Sequence, residues 1–261
     1  RPVIVMSIYR ELTKTKKVPH HVMDMALAIE YIHCASLVID DIMDDDDERR
    51  GKPAVHTKYG LIRAHLVTII LCTSAMQNIF HSLQELNHRY SDTNKSIPFL
   101  VGNLVSTMLH ELGVGQYCDL FMSQTTSEAV NILKDVIHKK TSSLFEFCFI
   151  LPWILANYNK TDRDLETGVN QMKTLARQFG LLFQISDDFE DVEKDSTRDD
   201  NSSSINYVIR KGYEEAYKDY TTIDKQFKDL SRKENVFTPE IKQLVTYLKD
   251  KATIYYQQRP N

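Results

Sequence analysis

An all-α domain, one bundle of long helices, is the expectation for these 261 residues. Three features support it. Glycine (8) and proline (7) are both scarce, which favours long helices over a loop-rich or all-β fold. Apolar positions such as Met23, Leu27, Tyr31, Leu37 and Val38 recur with helical spacing. No stretch alternates as a half-buried strand would, and no segment repeats. The length suits a single domain over residues 1–261 with a sizeable core.

The elements follow in order. Residues 3–16 read as a helix already under way, and a chain opening on Arg1-Pro2 without a Met leads us to expect a natural segment ahead of it. Pro19 sits near the first turn of the next helix, where its missing N–H costs little, and helical spacing then runs from His20 to about Asp44. Residues 49–57, with Gly51 and Pro53, read as a loop. A helix follows from Tyr59 to about Leu86, then a polar loop over 88–96. Pro98 opens a helix toward Phe121, and another spans 127–158, bent by Pro152. Thr161 and Asp164 have the spacing of an N-terminal cap for a helix reaching about Glu193. Polar residues 195–204 read as mobile, and helices near 205–232 and 238–257 finish the chain, the last opened by Thr238-Pro239. That makes roughly nine or ten helices, several longer than the usual length of about eleven or twelve residues.

The chain is 42% hydrophobic and 26% charged, with a formal net charge of −4. Seven acids crowd into residues 40–48, and the remainder of the chain is net basic, so the acidity is local. No basic stripe with interleaved aromatics occurs, which argues against a nucleic-acid partner. Four cysteines stand far apart in apolar helical contexts without a C-x-x-C pair and read as buried free thiols of a reducing compartment. With no signal peptide in view, the expectation is cytoplasmic. The longest apolar run, 144–156, carries Glu146 and Pro152 and is too short to span a bilayer. We therefore expect no transmembrane segment, and a core or subunit-contact helix there.

The chemistry begins at Asp40-Asp41-Ile42-Met43-Asp44, where an apolar helical run ends in carboxylates. Asp40 and Asp44 are i and i+4, on one helix face, with Asp41 about 100° round. Carboxylates at the mouth of a packed helix need a counter-ion, and oxygen ligands suit a divalent metal. Alone, such an end reads equally as a solvated acidic terminus. A second apolar run, however, ends in the same way at Asp187-Asp188-Phe189-Glu190-Asp191, with Gln184 one turn before Asp188. Two such ends facing each other across a central cavity would hold metals between them and bind a diphosphate.

These residues reach a known family. His33-Cys34-Ala35-Ser36-Leu37-Val38-Ile39-Asp40-Asp41-Ile42-Met43-Asp44, followed by Arg49-Arg50-Gly51-Lys52-Pro53, resembles the first aspartate-rich motif of trans-isoprenyl diphosphate synthases. Phe183-Gln184-x-x-Asp187-Asp188-x-x-Asp191 resembles the second. Arg1-Pro2, Gly115-Gln116-x-x-Asp119-Leu120 and Lys140-Thr141-Ser142-Ser143-Leu144-Phe145 resemble three further family elements, in the right order across about 1–210. His33 and the small pair Ala35-Ser36 look closest to eukaryotic-type geranylgeranyl diphosphate synthases. The resemblance implies the isoprenoid synthase fold, a homodimer, and about three Mg²⁺ ions per site. It implies condensation of isopentenyl diphosphate with an allylic diphosphate (dimethylallyl, geranyl or farnesyl) by ionisation, condensation and elimination.

Carried over residue by residue, the resemblance makes Asp40, Asp44 and Asp187 metal ligands, with Asp41, Asp188 and Asp191 supporting them. Arg49 and Lys140 would grip the allylic diphosphate, while Arg1, His33 and Arg50 would bind isopentenyl diphosphate. Thr141 and Gln184 would steady the cation. On its own, His33 on an apolar face reads as a core histidine, and Gln116 and Asp119 read equally as packing residues. The lysine that the family carries beyond the second motif has no counterpart at the usual spacing, and the sequence offers no reason for four consecutive acids at 44–47.

Product length follows from helix geometry. Ser36 is i−4 from Asp40, one turn of about 5.4 Å beneath it, and with Ala35 leaves that level open. The floor would come from Tyr31, Ile32 or a facing helix around 71–79, giving a chain longer than that of farnesyl diphosphate, most simply geranylgeranyl diphosphate. A farnesyl or longer-chain synthase, a class I terpene cyclase and a regulatory subunit compete. Arg49-Arg50 and the complete second motif argue against the cyclase, and retention of both acidic motifs argues against the subunit.

Overall fold

A computed structural model describes residues 1–90, 96–121, 129–196 and 206–259. Among them are eleven α-helices, a π-helical segment and one two-stranded hairpin. Helix α1 (Pro2–Thr13) precedes α2 (His20–Met43). The stretch expected as a loop instead forms antiparallel β1 (Glu48–Arg49) and β2 (Lys52–Pro53), with Glu48 opposite Pro53, and then a short α3 (Val55–Tyr59). Two long helices follow, α4 (Leu61–Tyr90) and α5 (Ile97–Phe121).

The helix expected over 127–158 is interrupted, but not by Pro152. It divides into α6 (Ala129–Ile137), a π-helical segment (His138–Ser142) and α7 (Ser143–Ala156), with Pro152 accommodated inside α7. Helix α8 (Asp162–Ser196) is 35 residues long and opens on the expected cap, the Asp164 amide donating to Thr161 Oγ1 at 3.3 Å. The polar stretch expected to be mobile lies, past Ser196, outside the described residues. Gly212, at φ +80°, splits the expected 205–232 helix into α9 (Tyr207–Lys211) and α10 (Tyr213–Lys233). Helix α11 (Pro239–Gln257) is capped by Thr238, which accepts from the Ile241 amide at 3.2 Å.

Helix α7 is apolar all round and forms the centre of the bundle, packed by α1, α5 and α8. Phe145, Phe147, Phe149 and Trp153 are all buried there, so this run is core. Helix α2 packs mainly on α4, and α10 and α11 close the far side of α8. The fold is thus the all-α bundle expected, with α2, α5, the π segment and α8 arranged around one cavity.

Two expectations are corrected. All four cysteines are free, but only Cys148 is buried; Cys34 and Cys118 are half-buried and Cys72 is exposed. Three helices, α2, α4 and α5, are long and apolar enough by length and composition to cross a membrane. The contrary expectation counted only the longest uninterrupted apolar run, whereas these helices reach their hydropathy with polar residues interspersed. Much of that apolarity on α4 faces outward, with Ile62, Ile69, Ile70 and Phe80 all more than half exposed.

Candidate active site

The first acidic motif ends α2 in a left-handed turn. Asp45 adopts φ +54° and the Asp46 amide reaches back to the Asp41 carbonyl at 3.0 Å, closing the helix where glycine is usual. The turn accounts for part of the unexplained acidic run. Asp45 occupies the left-handed position, which Asp tolerates, Asp46 pairs with Lys194 at 3.5 Å, and Asp47 accepts from Thr57 at 3.2 Å. Arg50 and Gly51, both at positive φ, make the hairpin turn that folds Arg49 back onto the helix end. There Arg49 Nε donates to the buried Asp41 carboxylate at 2.5 Å, with its Nη2 3.7 Å from Asp40. Asp41 therefore holds the arginine rather than facing the cavity.

The π segment supplies the opposite wall. It is gripped on two sides, at the Lys140 backbone and at the Ser142 side chain, each close approach requiring glycine. A Cβ on Gly115 would lie 2.3 Å from the Lys140 amide nitrogen, and one on Gly180 would lie 2.2 Å from Ser142 Oγ. Helices α5 and α8 thereby fix the register of Lys140 and Thr141. Lys140 Nζ donates to Asp119 Oδ2 at 2.6 Å and lies 3.3 Å from Asp40 Oδ1. Burial alone would lower its pKa, but Asp119 and Asp40 outweigh it and hold the group raised and charged. Gln116 Nε2 donates to Asp40 Oδ1 at 2.8 Å. Gln116 and Asp119 are thus part of the site, which the sequence left open; their one available signal was the Gly115-Gln116-x-x-Asp119 spacing.

Behind this wall runs a hydrogen-bond relay. Thr141 donates to Gln184 Oε1 at 3.0 Å, Gln184 Nε2 donates to Asp188 Oδ1 at 2.8 Å, and the Tyr207 amide donates to Asp188 Oδ2 at 2.7 Å. Asp188 is buried, which pushes its pKa up to about 7. It serves as the anchor of Gln184 and of the α9 start, and it does not line the cavity. Asp191 is exposed beyond the lining. Asp187 does line it, and its carboxylate accepts from Lys251 of α11 at 2.7 Å. Burial raises the pKa of Asp187 despite that lysine, and burial followed by the Asp40 charge raises that of Asp44.

The cavity measures about 630 Å³, within the range of small-molecule sites. Its polar lining gathers the carboxylates Asp40 and Asp187, the neutral Thr141 and Gln184, and the basic side chains Arg1, His33, Arg49, Arg50 and Lys140. Burial, then the charges of Arg1, Arg50 and Arg49, depress His33 to about 3, so its imidazole is neutral. The half-buried Arg1 side chain has its guanidinium over the Phe145 ring at 5.1 Å, and its buried Nε has no hydrogen-bond partner among the described residues. Away from these groups the wall turns apolar. Ser36, Ala35 and Ile32 descend α2, facing Thr68 and Cys72 of α4 and Leu109 and Leu112 of α5. Tyr31 is not in the lining, and the α5 contribution was not anticipated.

Among the described residues no three His, Cys, Asp or Glu side chains converge tightly enough to hold an ion unaided. The donor set still fits Mg²⁺, which keeps waters and is commonly held by one or two carboxylates plus substrate phosphates. Asp40, with Asp44 one turn on, and Asp187 across the cavity are oxygen donors of that kind.

Comparison with known proteins follows the same lines. The sequence model of the polyprenyl synthetase family matches residues 1–244. The chain is 28% identical over 245 residues to a trans-prenyltransferase of African swine fever virus (strain Badajoz 1971 Vero-adapted), covering 91% of this chain and 67% of that one. It is 30% identical to a geranylgeranyl diphosphate synthase of Pantoea ananas (78% of this chain, 65% of that one). It is 32% identical to a farnesyl diphosphate synthase of Bacillus subtilis (74% and 61%). The chain thus spans roughly two thirds of the length of these curated relatives. These relatives are viral and bacterial, and they give no support to a eukaryotic-type subgroup. In fold, the chain superposes on the geranyltransferase of Legionella pneumophila with TM-score 0.76 at 20% identity, over 97% of this chain and 82% of that one. The geranyltranstransferase of Thermotoga maritima gives 0.73 at 24% identity (99% and 84%). With the two aspartate-rich helix ends, the glycine-gripped segment that carries Lys140 and Thr141, and the family match over residues 1–244, the chain belongs to the polyprenyl synthetase family, the trans-isoprenyl diphosphate synthases.

Proposed function

We propose that this protein is a trans-prenyltransferase that condenses isopentenyl diphosphate with an allylic diphosphate (dimethylallyl, geranyl or farnesyl) in a Mg²⁺-dependent reaction, making geranylgeranyl diphosphate. One observation supports this above all: Asp40 and Asp187, from distant segments, share a cavity with Arg1, His33, Arg49, Arg50 and Lys140 and with an apolar wall. Mg²⁺ bound there would supply Lewis-acid stabilisation of the departing diphosphate. Asp40, Asp44 and Asp187 would hold it. Lys140 and Arg49 would grip the allylic diphosphate, and Arg1, Arg50 and His33 would take the isopentenyl diphosphate.

Thr141 commits its hydroxyl proton to Gln184 and so turns its lone pairs toward the reacting centre, where they would steady a carbocation. The apolar wall would keep water from that cation. The twenty-carbon product is supported by the open levels at Ser36 and Ala35 and by the continuation of the cavity to Cys72 and Leu109. The outward apolar side chains of α4, with Phe99 and Phe121 of α5, suit burial against a second copy of the chain in a homodimer. Incubation with Mg²⁺, labelled isopentenyl diphosphate and each allylic primer tests the reading by product length. A geranylgeranyl product supports it; a cyclised hydrocarbon, or no product without another protein, overturns it.

A further inference from the structure

The second acidic motif carries a built-in cation from a helix segment outside the family match. Lys251 lies on α11, past residue 244, where the family match ends. Its ammonium donates to Asp187 Oδ1 at 2.7 Å and also pairs with Glu190, one helical turn on. The lysine side chain is only 14% exposed. It belongs to a strip: Leu248, Lys251 and Tyr255, at spacings of three and four, lie on one face of α11. The Leu248 carbonyl accepts from Ser186 at 3.1 Å, and the Tyr255 hydroxyl donates to Glu190 at 3.2 Å. Three successive contacts therefore attach α11 to the segment of α8 that carries Asp187. Among the described residues, this lysine is the cation bonded to a cavity-lining carboxylate of the second motif, as Lys140 and Arg49 are at the first.

We propose that Lys251 is a displaceable internal counter-ion of Asp187, so that a divalent cation at the second motif and the docking of α11 compete for the same carboxylate. The proposal rests on the reading of Asp187 as a metal ligand. Its physical basis is that a unit positive charge within hydrogen-bond distance of a ligand oxygen opposes a second cation there and withdraws the lone pairs that cation would use. By linkage, whatever Lys251 takes from metal affinity, the metal takes from the attachment of α11. Lys251 is thus a positioning residue for Asp187, and α11 sets the cation concentration at which the motif loads.

Equilibrium binding of Mn²⁺, read as free-ion electron paramagnetic resonance signal without substrate, tests this on the full chain. Lys251→Met is expected to tighten binding by about tenfold, with Lys251→Arg close to the parent and Asp187→Asn losing the site. Hydrogen–deuterium exchange of the unsubstituted protein supplies a readout that needs no variant: amides around 248–257 should exchange faster when Mn²⁺ is added. Unchanged or weaker Mn²⁺ binding in Lys251→Met, or unchanged or slower exchange in α11, overturns the proposal while leaving the metal reading intact. Absence of Mn²⁺ binding in every variant, with inorganic diphosphate added as well as without it, overturns both.

Discussion

Gln116 and Asp119 reach the candidate active site through other residues. Gln116 holds one oxygen of Asp40 and Asp119 holds the ammonium of Lys140, so neither needs to touch substrate. Groups that orient ligands are typically worth about 10–100-fold in affinity or activity. Gln116→Leu should therefore lower turnover by about that range with little change in melting temperature, as steady-state kinetics beside calorimetry would show. Ser36 is different, because in the proposed reaction the growing chain would pass it. It lines the cavity one turn below Asp40, its hydroxyl turned back to the His33 carbonyl at 2.9 Å. Ser36→Phe should shorten the product by about one isoprene unit, corresponding to one helical turn of about 5.4 Å; an unchanged product profile by chromatography would count against the chain-length reading.

At the scale of elements, the π segment is the part most exposed to small changes. Gly115→Ala would press a methyl group into the Lys140 backbone, and a backbone cannot move aside as a flexible side chain can. Overpacking of this kind costs about 1–3 kcal/mol. The expected result is a lower melting temperature together with reduced activity, since Lys140 must shift. The same segment predicts a pH response. His138 is half-buried, and burial pushes its pKa down to about 4, whereas in the unfolded chain it titrates near about 6.5. The unfolded state therefore binds more protons between those values. The stability is fully present above about pH 6.5 and is lost as pH falls through that window toward about 4. His33, depressed to about 3, adds in the same sense. Melting curves at pH 7.5 and 5 should show a drop that His138→Gln reduces.

For the whole molecule, the outward face of α4 matters most. Ile62 is 77% exposed and Ile70 60%, next to Ile69 and Leu66, a larger apolar surface than single scattered side chains explain. A charge at the centre of an isologous interface is repeated twice by symmetry. Ile69→Glu should accordingly convert a homodimer to monomer in light scattering. An oligomeric state insensitive to this change would place any interface elsewhere.

Much of this molecule was legible from sequence for one physical reason. Helical periodicity and caps are local, and so is the placing of Asp40, Ser36 and Asp44 on one face of α2. Thr161, Thr238 and Pro19 marked helix starts because unpaired amides at a helix end need a nearby acceptor or a missing N–H. The sequence could not show what approaches each face from elsewhere. Asp188 carries the same chemistry as Asp187, yet one step round the helix it meets the Tyr207 amide and the Gln184 amide and becomes a buried anchor. Asp41 likewise meets Arg49 only because a two-residue turn at positive φ folds the chain back. The pairing of Gln116 with Asp40 and of Lys251 with Asp187, and the π register held between Gly115 and Gly180, depend on how closely whole helices pack. The sequence by itself determined the helices and the two acidic ends. The tertiary structure alone decided which carboxylates face the cavity and which cations hold them, because those contacts join residues far apart in the chain.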